Sequence, residues 1–202
     1  MLALYPDFWQ GIGEVFLRHD DLTALTYGDV PRATSAAFGR LIDWASARNL
    51  PLLVHSNIGP SWREQPDYLG EIESALRTHP HTRVIWAHAG ISRRIVIANH
   101  TDILRRMLGL YPNLTIDLSW VIFEQEIAPG GVLDRRWASL IDEYPGRFVI
   151  GSDTVGIFDQ YQPTLQRYYV LLDALQPGTA RKVAHDNFLA LLPGHRPGGV
   201  SH

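Results

Sequence analysis

Glu14, His55, His88, Asp117 and Asp153 are the side chains whose types and placement could do the most chemistry in this 202-residue chain. Two imidazoles with one or two carboxylates would offer nitrogen and oxygen donors suited to Zn²⁺, Mn²⁺ or Fe²⁺, and a site with an open position can activate water. The chain has no cysteine, so any metal must rest on His, Asp or Glu. The absence also removes disulfides, iron–sulfur clusters and a thiol nucleophile. Each of these residues recurs at a similar place. Glu14 lies late in Gln10-Gly-Ile-Gly-Glu-Val-Phe16, His55 ends Pro51-Leu-Leu-Val-His55, His88 ends Val84-Ile-Trp-Ala-His88, and Asp153 follows Phe148-Val-Ile-Gly-Ser152. Asp117 lies inside Leu114-Thr-Ile-Asp-Leu-Ser119.

Each residue also has a plain structural reading. His55 could bond a neighbouring backbone group, Asp153 could cap a turn or helix, and Glu14 could be a solvated rim residue. Asp117, inside its segment, reads best as structural. His79, His81, His100, His185, His195 and His202 read as solvated surface residues, whereas His19 would border the pocket that the others form.

The elements that must position these groups alternate between short apolar runs and amphipathic stretches. Strands are expected at Trp9 to Phe16, Leu50 to His55, Arg83 to His88, Leu114 to Ser119 and Arg147 to Ser152. Several are nearly continuous apolar runs, as parallel strands buried on both faces require. Between them, Leu41, Trp44 and Ala45 share a helical face in a stretch opened by Pro31. Leu69, Ile72 and Leu76 form a second stripe. Thr101 is placed to cap a third helix through Tyr111, and Leu133 to Tyr144 forms a fourth. Two more are expected at Thr164 to Leu175 and Thr179 to Leu192, separated by Pro177 and Gly178, with a frayed tail from Pro193.

This pattern is α/β and reads as one domain over residues 1–202, with two candidate architectures: part of a (β/α)₈ barrel, or an open doubly wound sheet. In either, functional groups gather at the C-terminal ends of the strands, where Glu14, His55, His88 and Asp153 fall.

Competing chemistries lack their motifs. Gly11-Ile-Gly13 begins like a dinucleotide fingerprint, but Phe16 stands at the third glycine position. Gly59-Pro-Ser61 begins like a nucleophile elbow, but Arg63 stands where the closing glycine belongs. There is no phosphate loop. Eighteen Lys and Arg against twenty-one Asp and Glu give a net charge of −3, too weak a field to hold nucleic acid. No apolar run approaches the ~20 residues of a membrane span. With no signal-peptide pattern near Met1, the expected location is cytoplasmic.

At this point the residues resemble the amidohydrolase-related metal-dependent hydrolases, which are (β/α)₈ barrels. Pro51-Leu-Leu-Val-His55 is similar to that family's fifth strand, Ile85-Trp-Ala-His-Ala-Gly90 to its sixth, Asn113 to Ser119 to its seventh and Ile150-Gly-Ser-Asp153 to its eighth. Lys182 to Leu192 is similar to its closing helix, where an Asn precedes an apolar run. The resemblance implies that His55 is a metal ligand and that His88 binds metal or polarises a substrate carbonyl. It implies that Asp153 binds metal and takes a proton from the attacking water, and that Glu14 matches a fourth-strand carboxylate ligand of some relatives. One divalent ion is implied, zinc before manganese or iron. The implied substrate is a small carbonyl, amide or lactone compound, or one that is decarboxylated.

The family's first-strand His-x-His pair has no counterpart before Glu14, and residues 1 to 8 cannot hold three strand–helix units. The reading is therefore a partial barrel of about five strands without strands one to three, which is expected to self-associate through exposed barrel edges. The alternative function is a non-catalytic barrel remnant serving as a binding or structural protein.

Overall fold

The structure, a computed structural model, describes residues 4–5, 8–19 and 30–194. His195, His202 and the tail expected beyond residue 194 lie outside the described residues. Five strands form one sheet: β1 (Ile12–Phe16), β2 (Leu52–His55), β3 (Val84–Trp86), β4 (Leu114–Asp117) and β5 (Phe148–Val149). Every pairing is parallel and the order is the chain order, β1-β2-β3-β4-β5. A doubly wound sheet reverses its strand order at a switch point. An unbroken order with right-handed crossovers keeps adding strands in one direction, as a barrel does. The sheet is thus part of an α/β barrel, and the doubly wound alternative is set aside by the topology.

Helices α1 (Ala36–Ser46), α2 (Leu69–Thr78), α3 (His100–Leu110) and α4 (Arg135–Glu143) connect the strands. Each buries the stripe that its sequence spacing provides: Phe38, Ile42 and Ala45 on α1, Ile72, Ala75 and Leu76 on α2, Leu104, Met107 and Leu108 on α3, and Trp137, Leu140 and Ile141 on α4. Alternate strand residues meet them, among them Leu52, Val54, Val84, Trp86, Leu114, Ile116 and Phe148, all in one core cluster. The residues between point the other way, and Leu53, Ile85, Asp117 and Val149 line a cavity on the opposite face of the sheet.

Several boundaries differ from expectation. Ser35, not Pro31, opens α1, its hydroxyl accepting from the Phe38 N–H at 3.2 Å. Asn99 stands at the cap position of α3 with φ +56°, a conformation Asn tolerates, so Thr101 lies inside the helix rather than capping it. The fifth expected helix is broken into α5 (Tyr161–Gln166) and α6 (Tyr169–Leu172). The sixth begins at Pro177, favoured in a first turn where its missing N–H costs nothing. It runs as α7 (Pro177–Arg181), a π-helical turn over Lys182–Asp186 and α8 (Asn187–Leu191). Asn187 Nδ2 donates to the carbonyls of Pro145 (2.9 Å) and Phe148 (2.8 Å), tying this closing segment to the start of β5.

Candidate metal centre

All five strands are shorter than expected: His55 and Asp117 close β2 and β4, His88 and Asp153 lie beyond the ends of β3 and β5, and Glu14 lies within β1. Pairing between β1 and β2 steps from Ile12↔Leu52 to Val15↔Val54, so β1 carries one extra residue, a bulge that re-aims a side chain. Glu14 lies in it. The bulge needs glycine at position 13, because a Cβ there would stand 2.5 Å from Leu53 Cβ and 2.9 Å from the Leu53 carbonyl oxygen.

Glu14 Oε1 lies 2.8 Å from His55 Nδ1 and 3.5 Å from His88 Nε2. Ligand atoms of Glu14, His55 and His88 all fall within 4.8 Å of one another. Asp153 Oδ2 stands 3.9 Å from His88 Nε2. Four residues distant in sequence are thus brought together, and both histidines are buried.

Each imidazole is oriented from behind. His55 Nε2–H donates to Asn57 Oδ1 at 3.1 Å, leaving Nδ1 to face Glu14. His88 Nδ1 faces the carbonyl oxygen of Ser119 at 3.2 Å, Ser119 Oγ at 2.9 Å and Asp117 Oδ2 at 3.4 Å, leaving Nε2 toward Glu14 and Asp153. Such partners orient each ring, so that the nitrogen facing Glu14 is the one that would bind an ion once its proton is released. Asp117 also accepts from the His88 N–H at 3.2 Å and from Ser119 Oγ at 2.5 Å. Its structural reading is therefore right in kind, and what it supports is the site.

The electrostatics favour positive charge at this point. Burial alone would lower the basicity of His88, but hydrogen bonds with Asp117 and Glu14 outweigh it and lift the pKa to about 9. Burial works to raise the Glu14 pKa, and hydrogen bonds with His55 and His88 overcome it, bringing the carboxyl down to about 2. Burial raises the Asp153 pKa, with His88 opposing, so this carboxylate is a stronger proton acceptor than an ordinary aspartate.

The backbone is strained where the site is built. His88, Ala89, Trp120 and Asp153 have φ of +54°, +51°, +62° and +46°. A non-glycine residue there costs on the order of 1–3 kcal/mol and persists only when its surroundings hold it. The Trp120 carbonyl is held by Arg167 Nη2 at 3.0 Å, and Tyr168 Oη lies within hydrogen-bonding distance of the carbonyls of Leu118 (2.7 Å) and Gly151 (2.9 Å). Gly90, at φ +79°, lets the turn after His88 close on Trp86. A Cβ there would come 2.3 Å from the Trp86 ring.

Two cavities flank the site. The more polar, of about 490 Å³, is lined by His19, His55, Arg93, Trp120, Thr154 and Arg167 among others and forms the mouth. An apolar one of about 470 Å³ lies on the inner face of the sheet, lined by Pro51, Leu53, Ile85, Val149, Phe188 and Leu192 among others. Glu14, His88 and Asp153 border both.

His19 borders the mouth as expected, its ring stacked on that of His55 at 4.2 Å. His100 does not lie at the surface. It is buried, with Nδ1 2.7 Å from Glu126 Oε2 and Nε2 donating to the Ala89 carbonyl at 3.1 Å, because the strained turn beside His88 needs a partner. His79 stays at the surface, half-buried, with Nδ1 2.8 Å from the exposed carboxylate of Asp43. Asn57, Ser119, Trp120 and Arg167 were not singled out by sequence. The signal for Asn57 and Ser119 was their position just past a strand end.

Two imidazoles and a carboxylate converging beside an open cavity match the donor composition of a catalytic zinc site. The family model described as amidohydrolase matches residues 22–194. No match was found among curated proteins. Among solved structures, an uncharacterised TIM-barrel protein from Bordetella bronchiseptica is 13% identical with a TM-score of 0.59, over 94% of this chain and 68% of its own. An amidohydrolase from Burkholderia multivorans with bound zinc is 18% identical with a TM-score of 0.55, over 95% and 69%. Amidohydrolase 2 from Bifidobacterium longum subsp. infantis is 17% identical with a TM-score of 0.52, over 79% and 56%. No described helix is long and apolar enough to cross a membrane. With the family model covering most of the barrel-type sheet and the strand ends that carry His55, His88 and Asp153, the chain belongs to the amidohydrolase family.

Proposed function

We propose that this chain is a metal-dependent hydrolase that directs water at a small carbonyl, amide or lactone substrate. The observation that carries the reading is the convergence of Glu14, His55 and His88 at one point, with Asp153 against it. Glu14 and His55 would hold one divalent ion, zinc before manganese or iron, with Nε2 of His88 also within reach. The carboxylate of Asp153, expected from sequence as a ligand, stands where it could bind the ion or serve it as base. The ion would supply Lewis acidity and bring a water's pKa to about 7.

The chain's own groups do the rest. Asp153, with its raised pKa, takes the proton from the attacking water and returns it to the leaving amine or alkoxide as the scissile C–N or C–O bond breaks. His88, held by Asp117 and Ser119, presents Nε2 to the oxygen on which negative charge develops. The strained turns at His88 and Asp153 keep both groups in place before substrate arrives. Zinc bound in the Burkholderia multivorans relative supports the choice of ion, and the cysteine-free composition supports a cytoplasmic location.

The test is metal analysis of protein purified without chelator, repeated on Glu14→Gln, His55→Ala and Asp153→Asn, alongside hydrolysis of a panel of lactones and activated esters. The expected result is near-stoichiometric metal in the wild type, lost in Glu14→Gln and His55→Ala, and hydrolysis abolished in Asp153→Asn. Wild-type protein that takes up no zinc, manganese or iron and turns over nothing would overturn the proposal in favour of a binding or structural role.

A further inference from the structure

We infer that the mouth of the site carries a carboxylate-recognition subsite formed by Arg93 on the face of Trp120, so that the substrate is an anion with a carboxylate a few bonds from its scissile carbonyl. This rests on the hydrolase reading and names the substrate class for the same pocket.

The mouth cavity contains two guanidinium groups, Arg93 and Arg167, and they are used differently. Arg167 is committed: Nη1 pairs with Glu124, Nη2 donates to the Trp120 carbonyl, and the group lies over the rings of Phe123 and Tyr168. Its work is to hold Trp120 in the left-handed region. Arg93 is exposed, and among the described residues no carboxylate pairs with its guanidinium, which lies 4.9 Å from the centroid of the Trp120 ring. The Arg93 backbone is pinned, its carbonyl accepting from Gln125 Nε2 at 3.1 Å.

Trp120 is the link between that cation and the chemistry. Its ring centroid is 5.0 Å from that of His88 and 6.2 Å from that of His55. The guanidinium therefore lies no more than about 10 Å from the His88 ring, the 5.0 and 4.9 Å separations laid end to end. A bulky residue kept at φ +62° by an arginine that also pairs with Glu124 is a positioned surface, within reach of both the metal-ligand cluster and a cation. One face of the guanidinium is shielded by the indole, which leaves its N–H edge for a planar, bidentate partner, the geometry of a carboxylate. Arg93 also adds positive charge where the substrate enters, which would steer an anion toward the site.

The test titrates the zinc-loaded protein by calorimetry with succinamate, glutaramate and adipamate, each against the neutral amide of the same chain length. Wild type should bind at least one anion about tenfold or more tighter than its neutral partner. That preference should disappear in Arg93→Gln, survive in part in Arg93→Lys, which keeps the charge but not the fork, and be retained in Arg94→Gln. Absence of any preference at all three lengths in the wild type, or its persistence in Arg93→Gln, overturns the subsite. The hydrolase reading fails separately: discrimination without turnover of any amide, lactone or ester would leave the subsite standing, and turnover without discrimination would leave the hydrolase standing.

Discussion

Replacing Asp117 by Asn tests whether the site is held from behind by a carboxylate. That group accepts hydrogen bonds from the His88 N–H (3.2 Å), Ser119 Oγ (2.5 Å) and the Ser119 N–H (3.3 Å), all buried. An amide has the same shape but only one acceptor oxygen. Whichever way it turns, its NH₂ meets either the Ser119 N–H or both of the donors on the other oxygen. The smaller loss leaves one buried donor facing another, at roughly 1–3 kcal/mol, and weakens two charge-assisted bonds to neutral ones. The expected loss of unfolding free energy is about 2–4 kcal/mol, read from the urea midpoint at constant slope. The metal-stripped protein gives a second readout. The His88 pKa in the folded protein, about 9, lies above the ordinary 6.5. Its contribution to stability is thus fully present below about pH 6.5 and lost as pH rises through 9. Without the Asp117 charge the folded pKa falls. The gap between wild type and Asp117→Asn should therefore be widest below pH 6.5 and narrow toward alkaline pH, with the His88 ring titrating lower by NMR. A variant within about 0.5 kcal/mol of wild type, the ordinary scatter of surface substitutions, whose His88 titrates unchanged would refute the reasoning.

Gly90→Ala should cost about 3 kcal/mol or more in a urea melt, since its Cβ would meet the buried Trp86 ring at 2.3 Å and Ile58 Cβ at 3.0 Å, at a φ of +79°. Asn187→Ala leaves the Pro145 and Phe148 carbonyls without their donor, and about 2 kcal/mol should be lost, with hydrogen exchange speeding up in α8 before α4. Asp134→Ala removes the side-chain cap of α4 and should cost about 1 kcal/mol near neutral pH. The hydrogen bond from Arg136 outweighs the opposing effect of burial and holds the Asp134 carboxyl below its ordinary 3.8. Its contribution is therefore present above that value and lost as pH falls through the folded pKa, so wild type and variant should converge in acid.

The barrel-type sheet was legible in outline because parallel strands covered on both faces are nearly continuous apolar runs, and several such runs between amphipathic stripes leave a barrel or a doubly wound sheet. The convergence of Glu14, His55, His88 and Asp153 was legible for a related reason: parallel strands in one layer end on one side, so residues at equivalent ends become neighbours whatever their separation in sequence. Less visible were the partners that come from further round the sheet. Nothing local marks Ser119 as facing His88, or Arg167 as holding the Trp120 carbonyl, because these contacts depend on how far each loop travels after its strand. His100 was misread because its polar, helix-opening position looks solvated until the Ala89 carbonyl it serves is in place.

The strand ends differ from expectation where the candidate site is built. Val84 to His88 has the composition of a strand throughout, yet β3 stops at Trp86, and His88 and Ala89 enter the left-handed region. Ile150 to Asp153 likewise leaves the ladder before Asp153 at φ +46°. Local propensity argues against these conformations, so they exist only because tertiary contacts impose them: Asp117 on the His88 N–H, His100 on the Ala89 carbonyl, and Gly90 seated against Trp86. Departure from local preference is expected where a structure serves chemistry. An extended strand would send successive side chains to opposite faces. The left-handed turn instead keeps His88 over the inner cavity while its Nε2 reaches Glu14 and Asp153. Asp117, His100 and Gly90, none of them in the metal-ligand cluster, thereby hold the geometry on which the proposed chemistry depends.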